Sequence, residues 1–133
     1  MNNRVKSLPF VAVLGLFAVG AIAQEGHPLS GTWHGAWNAP AGQNNRIVMA
    51  LKWDTKNVVG TLNPGPRSAP FKQVTLDPDK WMVHFEADAK DSKGNPVHVV
   101  ADGKLENIGS YNRTITGTWT QGGDKGEFRI TRD

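Results

Sequence analysis

Apolar and polar residues alternate one by one along most of this sequence, in short runs separated by clusters of Gly, Pro, Asn and Asp. Alternation with a period of two is typical of a β-strand with one buried face, whereas the apolar residues of an amphipathic helix recur every three to four positions. After Gln24, no stretch of about ten residues keeps apolar side chains at helical spacing. The sequence therefore predicts an all-β protein whose strands are joined by short turns.

The pattern predicts eight strands. The connections between them are too short for crossover helices, so neighbouring strands are expected to be antiparallel, and closure of such a set removes unpaired edges. We therefore predict an eight-stranded antiparallel up-and-down β-barrel, with a β-sandwich as the alternative. The predicted strands are 32–37, 46–53, 58–62, 71–76, 81–89, 96–105, 113–120 and 126–132.

Residues 1–23 have the features of a secretory signal peptide. Arg4 and Lys6 precede a short apolar run, and Ala21-Ile22-Ala23 matches the small-x-small pattern of a cleavage site. The apolar run, about 13 residues, is shorter than the roughly 20 residues of a spanning helix, so no membrane span is expected after cleavage. We predict cleavage after Ala23, a single domain over 24–133, and a secreted or periplasmic location.

Composition excludes several classes of function. Without Arg4 and Lys6 the chain keeps 13 basic and 12 acidic residues and no run of Lys and Arg, so nucleic-acid binding is not predicted. The absence of Cys excludes thiol nucleophiles, disulfides and thiolate metal sites. No Gly-x-Ser-x-Gly motif or phosphate-binding glycine loop is present, so we predict neither catalysis nor a cofactor.

The start of the first strand carries a family resemblance. Gly31-Thr32-Trp33, in a chain with eight predicted strands and a leader, resembles the opening of the calycin group, which comprises lipocalins, fatty-acid-binding proteins and avidins. The longer stretch from Leu29 to Trp33 also looks like the opening of small secreted domains. The chain is short for a lipocalin, and it has neither a C-terminal helix nor a Thr-Asp-Tyr motif before the seventh strand. The resemblance therefore extends to the barrel and not to a particular ligand.

This resemblance implies structural roles for four residues. In the calycin group the barrel is open at one end, and a basic residue of the last strand packs over the Trp that closes the other end. It implies that Gly31 and Trp33 form the barrel floor, and that Arg129 or Arg132 stacks on Trp33.

Three of the five Trp residues are candidates for ligand contacts. Trp37 and Trp53 lie towards the ends of their strands, and Trp81 opens the fifth strand. An eight-stranded barrel is just wide enough to be filled by side chains or to hold one small ligand. Two interpretations stay open: the Trp side chains fill the core, or they line a pocket for an apolar, heterocyclic or sugar ligand.

His84 and His98 are candidates for a polar site. When the apolar residues of strands five and six face each other, His84 lies opposite Asp102 and His98 lies opposite Asp88, on the face away from the apolar one. This arrangement predicts either a solvated ladder of ion pairs or, together with Glu86, a site for metal binding or acid–base chemistry.

Three functions are compatible with these patterns. The first is a secreted or periplasmic binding module that holds a small, largely apolar ligand at the open end of the barrel, without catalysis. The second is a structural or protein-interaction barrel with a filled core and a protein partner. The third is a small enzyme or metal site built on the histidines and carboxylates of strands five and six.

Overall fold

A computed structural model describes residues 27–39, 44–63, 68–91 and 93–133. The expected leader and its cleavage position lie outside these ranges. Every strand pairs antiparallel with the next along the chain, and β8 pairs with β1 to close the barrel. The predicted up-and-down β-barrel is confirmed, and the sandwich alternative is wrong. The strands are β1 (Gly31–Trp37), β2 (Asn45–Trp53), β3 (Val58–Leu62), β4 (Ala69–Asp77), β5 (Met82–Lys90), β6 (Pro96–Glu106), β7 (Thr114–Gln121) and β8 (Asp124–Arg132).

Most strand bounds agree with the predicted ones to within a residue, but β4 and β8 each begin two residues earlier than predicted, β8 at Asp124. β4 begins at Ala69 rather than at Phe71, because Pro70 occupies a paired position opposite Thr61 at the edge of β3. β5 begins at Met82, because Trp81 has a φ of 55° and belongs to the preceding turn. In the described parts of the chain, no helix has the length and apolar character that a membrane crossing requires.

The two ends of the barrel differ. We call the end where β1 begins and β8 ends the floor end, and the opposite one the far end. At the far end, Trp37 and Trp119 lie 6.1 Å apart between ring centroids, and Phe128 meets Trp119 edge to face at 5.7 Å. Such aromatic contacts add to the stability gained by burying the rings. Apolar side chains therefore fill the middle and the far end of the barrel, with Trp33, Phe85 and Trp119 almost inaccessible to solvent.

The floor end is closed by the segment that precedes β1. Leu29 is fully buried, and its carbonyl oxygen accepts a hydrogen bond from Nε1 of Trp33 at 2.9 Å. Arg113 donates from Nη1 to the carbonyl of Pro28 at 3.1 Å, and Arg132 donates from Nη1 to the carbonyl of Ser30 at 3.2 Å. The indole and the two guanidinium groups together hold this segment against the barrel.

The two β8 arginines named by the calycin resemblance differ in position: Arg132 pairs with Trp33 in the register, whereas Arg129 does not. Arg129 is exposed on β8, paired with Ala36 and Thr116, and so cannot cover a buried Trp33. The guanidinium of Arg132 lies 5.2 Å from the centre of the Tyr111 ring. Gly31 has a φ of 133°, and a Cβ there would come within 2.9 Å of Cδ of Arg132, so Gly31 leaves room for the arginine stem. Arg113, which sequence reasoning missed, is the further basic residue at the floor.

Close packing between β6 and β7 depends on a glycine pair. Gly103 and Gly117 face each other in the register. A Cβ at Gly117 would overlap with the backbone carbonyl oxygen of Asp102, and one at Gly103 would come within 2.9 Å of the Phe128 ring. The absence of both side chains lets the strands bend and lets Phe128 fill the interior.

Candidate functional site

The seam between β3 and β4 has the fewest residue pairs in the barrel wall. Two pairs join these strands, Thr61 with Pro70 and Leu62 with Ala69, whereas nine pairs join β5 to β6. Pro70 has no N–H to donate. On the other side of β4, its pairing with β5 shifts register between Phe71 and Gln73, which is a β-bulge or a similar irregularity. Towards the floor end, β3 and β4 form no further residue pairs.

A hollow of about 430 Å³ opens beside these unpaired parts, at the floor end. We call it the aromatic pocket. Its size lies within the range of small-molecule sites, about 300–1,000 Å³. Its walls come from the segment before β1, the end of β2, the beginning of β3 and the end of β4 with the turn that follows. The side chains that define it are His27, Trp53, Lys56, Val58, Val74 and Trp81.

Three aromatic rings line the pocket, those of His27, Trp53 and Trp81. His27 stacks on Trp53, with ring centroids 4.8 Å apart and 12° between the planes. Trp53 is 36% exposed and Trp81 is half-buried, so both offer ring surface to the hollow. Val58 and Val74 are buried and supply the apolar base of the pocket.

His27 is a neutral hydrogen-bond donor in this setting. Its Nδ1 accepts a hydrogen bond from the backbone N–H of Leu29 at 3.2 Å, so the ring proton of the neutral form lies on Nε2. Burial lowers the pKa of His27 below its ordinary value, which favours the uncharged ring at neutral pH.

The two turns beside the pocket are held in unusual backbone conformations. Trp81 has a φ of 55° and Thr55 a φ of 87°, which are rare for bulky and β-branched residues and cost about 1–3 kcal/mol each. The carbonyl of Trp81 accepts the backbone N–H of Leu105 at 2.8 Å. Asp54 accepts the backbone N–H groups of Asn57 at 2.7 Å and Lys56 at 2.9 Å, which lowers the pKa of its carboxyl. Backbone strain of this kind persists where surrounding contacts fix it, and such residues cluster at functional sites.

The three predicted ligand contacts do not form one site. Trp53 and Trp81 lie together in the aromatic pocket, whereas Trp37 is at the far end, 7% exposed and packed beside Trp119. In an antiparallel barrel, the ends of β1 and β2 lie at opposite ends, so Trp37 and Trp53 cannot be neighbours. His27 was missed, because it lies before the first strand, where alternation carries no information.

The polar ladder on β5 and β6 has the predicted register, which is confirmed: His84 pairs with Asp102, and Asp88 pairs with His98. Nδ1 of His84 lies 2.6 Å from Asp102 and Nε2 lies 3.0 Å from Glu86, and the ring donates both hydrogen bonds when it is protonated. His98 lies 2.8 Å from Asp88 through Nδ1 and 3.3 Å from Glu86 through Nε2. Glu86 thus joins the two histidines into one chain of ion pairs on the outer face.

The ion pairs of this ladder shift the pKa values of three of its groups, His84, Glu86 and Asp88. Hydrogen bonds to Asp102 and then Glu86 raise the pKa of His84, and the partnership with His84 lowers the pKa of Glu86. His98 and Lys72 lower the pKa of Asp88. Within the described ranges, no group of three or more His, Asp or Glu residues has the arrangement of a metal site. As folded, the groups pair with one another.

Comparison of this chain with protein families, with curated proteins and with solved structures found no match. The closed eight-stranded barrel is consistent with a calycin-like fold.

Proposed function

We propose that this protein is a binding module without catalytic activity, with a calycin-like barrel as its scaffold and the aromatic pocket as its ligand site. One observation carries the proposal: two partly exposed Trp side chains, Trp53 and Trp81, and the stacked His27 face a single hollow with an apolar base. Flat aromatic walls over an apolar base favour a small, largely apolar ligand with a planar face.

The position of the pocket changes the expected mode of binding. The sequence-based expectation was a ligand at the open end of the barrel. Trp37, Trp119 and Phe128 fill the far end, so the proposal places the ligand at the floor end, beside the unpaired parts of β3 and β4. In this proposal the packed core supports the pocket from below, and the ligand does not enter the barrel interior.

The features of residues 1–23 support a secreted or periplasmic location for this module. Binding outside the cytoplasm is part of the same proposal.

A second candidate function is a protein-interaction domain, and the filled interior favours it. A shallow groove of about 790 Å³ crosses the outer faces of β1, β7 and β8, lined in part by Thr116, Thr118, Glu127 and Arg129. Its mixed polar and apolar lining, on the outer face of three strands, is of the kind found in protein–protein interfaces.

Binding of an uncharged aromatic probe tests the first candidate. N-phenyl-1-naphthylamine, which fluoresces in apolar surroundings, is titrated into the protein. Saturable binding with a Kd of about 0.1 mM or tighter is expected for a ligand of this size. Trp53→Leu should weaken binding at least about tenfold, because it removes stacking and buried area together.

Tyr111→Leu is the matched control, because Tyr111 is a 72% exposed aromatic residue at the same end of the barrel but outside the pocket. Its affinity for the probe should equal that of the unmodified protein. Equal affinities for Trp53→Leu and the unmodified protein, or no saturable binding at all, would reject the aromatic pocket as the ligand site and leave the interaction domain as the better candidate.

A further inference from the structure

The lining of the aromatic pocket carries a positive charge and no negative one. Lys56 is the one formally charged side chain among the residues that line it, and none of those residues is an Asp or a Glu. An apolar hollow with one cation at its rim favours a ligand that carries a negative charge on an apolar frame.

The acidic residues of the neighbouring turns, Asp54, Asp77 and Asp79, do not line the hollow. Asp54 accepts hydrogen bonds from the backbone N–H groups of Asn57 and Lys56, and Asp77 accepts one from the backbone N–H of Asp79 at 3.0 Å. Their carboxylates are used to form the two turns. They therefore hold Lys56 and the pocket wall in place without lining the hollow.

Three of the other polar groups of the pocket are donors, while Asn57 and Thr75, which also line it, can donate or accept. The neutral His27 ring carries its proton on Nε2, and the Trp53 and Trp81 indoles each carry an N–H that bonds to no other described side chain or carbonyl. By contrast, Trp33 donates to Leu29 within the protein. Donors around an apolar surface are matched by a ligand whose polar atoms are acceptors.

We infer that the aromatic pocket binds a planar aromatic anion, with the ring against Trp53 and Trp81 and a carboxylate or similar acidic group towards Lys56. This inference rests on the proposed function and adds the charge of the ligand to it. Lys56 is exposed, so its attraction for the anion is partly screened, and an exposed ion pair of this kind is expected to change affinity about two- to fivefold.

Three probes with the same ring system and different charges test it. They are 2-naphthoate, 2-naphthylmethanol and protonated 2-naphthylmethylamine, titrated at about pH 7.5 and about 20 mM salt, where exposed charges are weakly screened. We expect the anion to bind about two- to fivefold more tightly than the neutral alcohol and the cation to bind most weakly. Lys56→Gln should abolish the preference for the anion while leaving the affinity for the alcohol unchanged.

Lys52→Gln is the matched control, because Lys52 is an exposed lysine four residues earlier that does not line the pocket. It should retain the anion preference of the unmodified protein. Equal affinities for the three probes, or an anion preference that survives in Lys56→Gln, would overturn the inference while leaving the binding function intact. If none of the three binds, both the inference and the proposed function fail.

Discussion

The hydrogen bond between Trp33 and Leu29 gives a measurable prediction about how the floor of the barrel is held. Trp33→Phe removes the indole N–H but keeps an aromatic ring in the core. The carbonyl of Leu29 is then left without its donor in a buried position. Leaving a buried polar group unpaired costs about 1–3 kcal/mol, in addition to the cost of the smaller ring.

Trp119→Phe is the comparison that isolates this cost. Trp119 is as deeply buried, at 1% exposure, but its indole donates to the side chain of Gln121, which is only partly buried and can turn towards water. Both variants lose the same ring atoms, so the difference in their free energies of unfolding reports mainly on the Leu29 carbonyl. We expect Trp33→Phe to be less stable than Trp119→Phe by about 1–3 kcal/mol.

Urea denaturation followed by far-ultraviolet circular dichroism measures this difference, and thermal melting provides a second reading. For a domain of this size, each 1 kcal/mol corresponds to a shift of about 4–8 °C in Tm. Equal stabilities for the two variants would refute the reasoning, because they would mean that the Leu29 carbonyl gains nothing from the indole.

Two further predictions concern the β5–β6–β7 wall. The pKa of His84 is raised in the folded protein, so its ion pairs stabilise the fold fully below about pH 6.5, and this stabilisation is lost as the pH rises through the raised pKa. The Tm difference between the unmodified protein and His84→Gln should therefore be larger at about pH 5.5 than at about pH 8.5. A pH-independent difference would contradict the ion-pair ladder. Protonation of Glu86 does not enter this comparison, because the hydrogen bond from His84 lowers its pKa and the carboxylate stays ionised at both pH values. Gly117→Ala should destabilise the barrel by more than the roughly 1 kcal/mol typical of point substitutions, because its Cβ would overlap with the Asp102 carbonyl, and an unchanged urea midpoint would show that the strands separate freely there.

Alternation carried most of the information about the fold. It located all eight strands, because each strand has one face in a single apolar interior and the side chains of a strand alternate between faces. The same rule fixed the β5–β6 register, since a slip by one residue would have turned His84 into the core. The sequence could therefore predict the architecture and the outer ladder.

The candidate site was less accessible to this reasoning. Alternation placed Trp81 on a strand, whereas its positive φ puts it in a turn. The order of apolar and polar residues does not indicate the sign of φ. His27 lies before the first strand, and it stacks on Trp53 only because the segment around Leu29 folds over the floor. The sequence pattern also does not show that β3 and β4 share only two residue pairs.

The sparse pairing of β3 with β4 bears on where the barrel wall opens first. Proteins open locally with free energies that are lowest where few backbone hydrogen bonds and packed contacts hold a segment. Here two residue pairs close the seam, and one of them includes Pro70, which has no N–H. Local opening of this seam therefore costs less free energy than opening of the β5–β6 wall, so its backbone amides should exchange with solvent first while the packed interior around Phe85 and Trp119 stays folded.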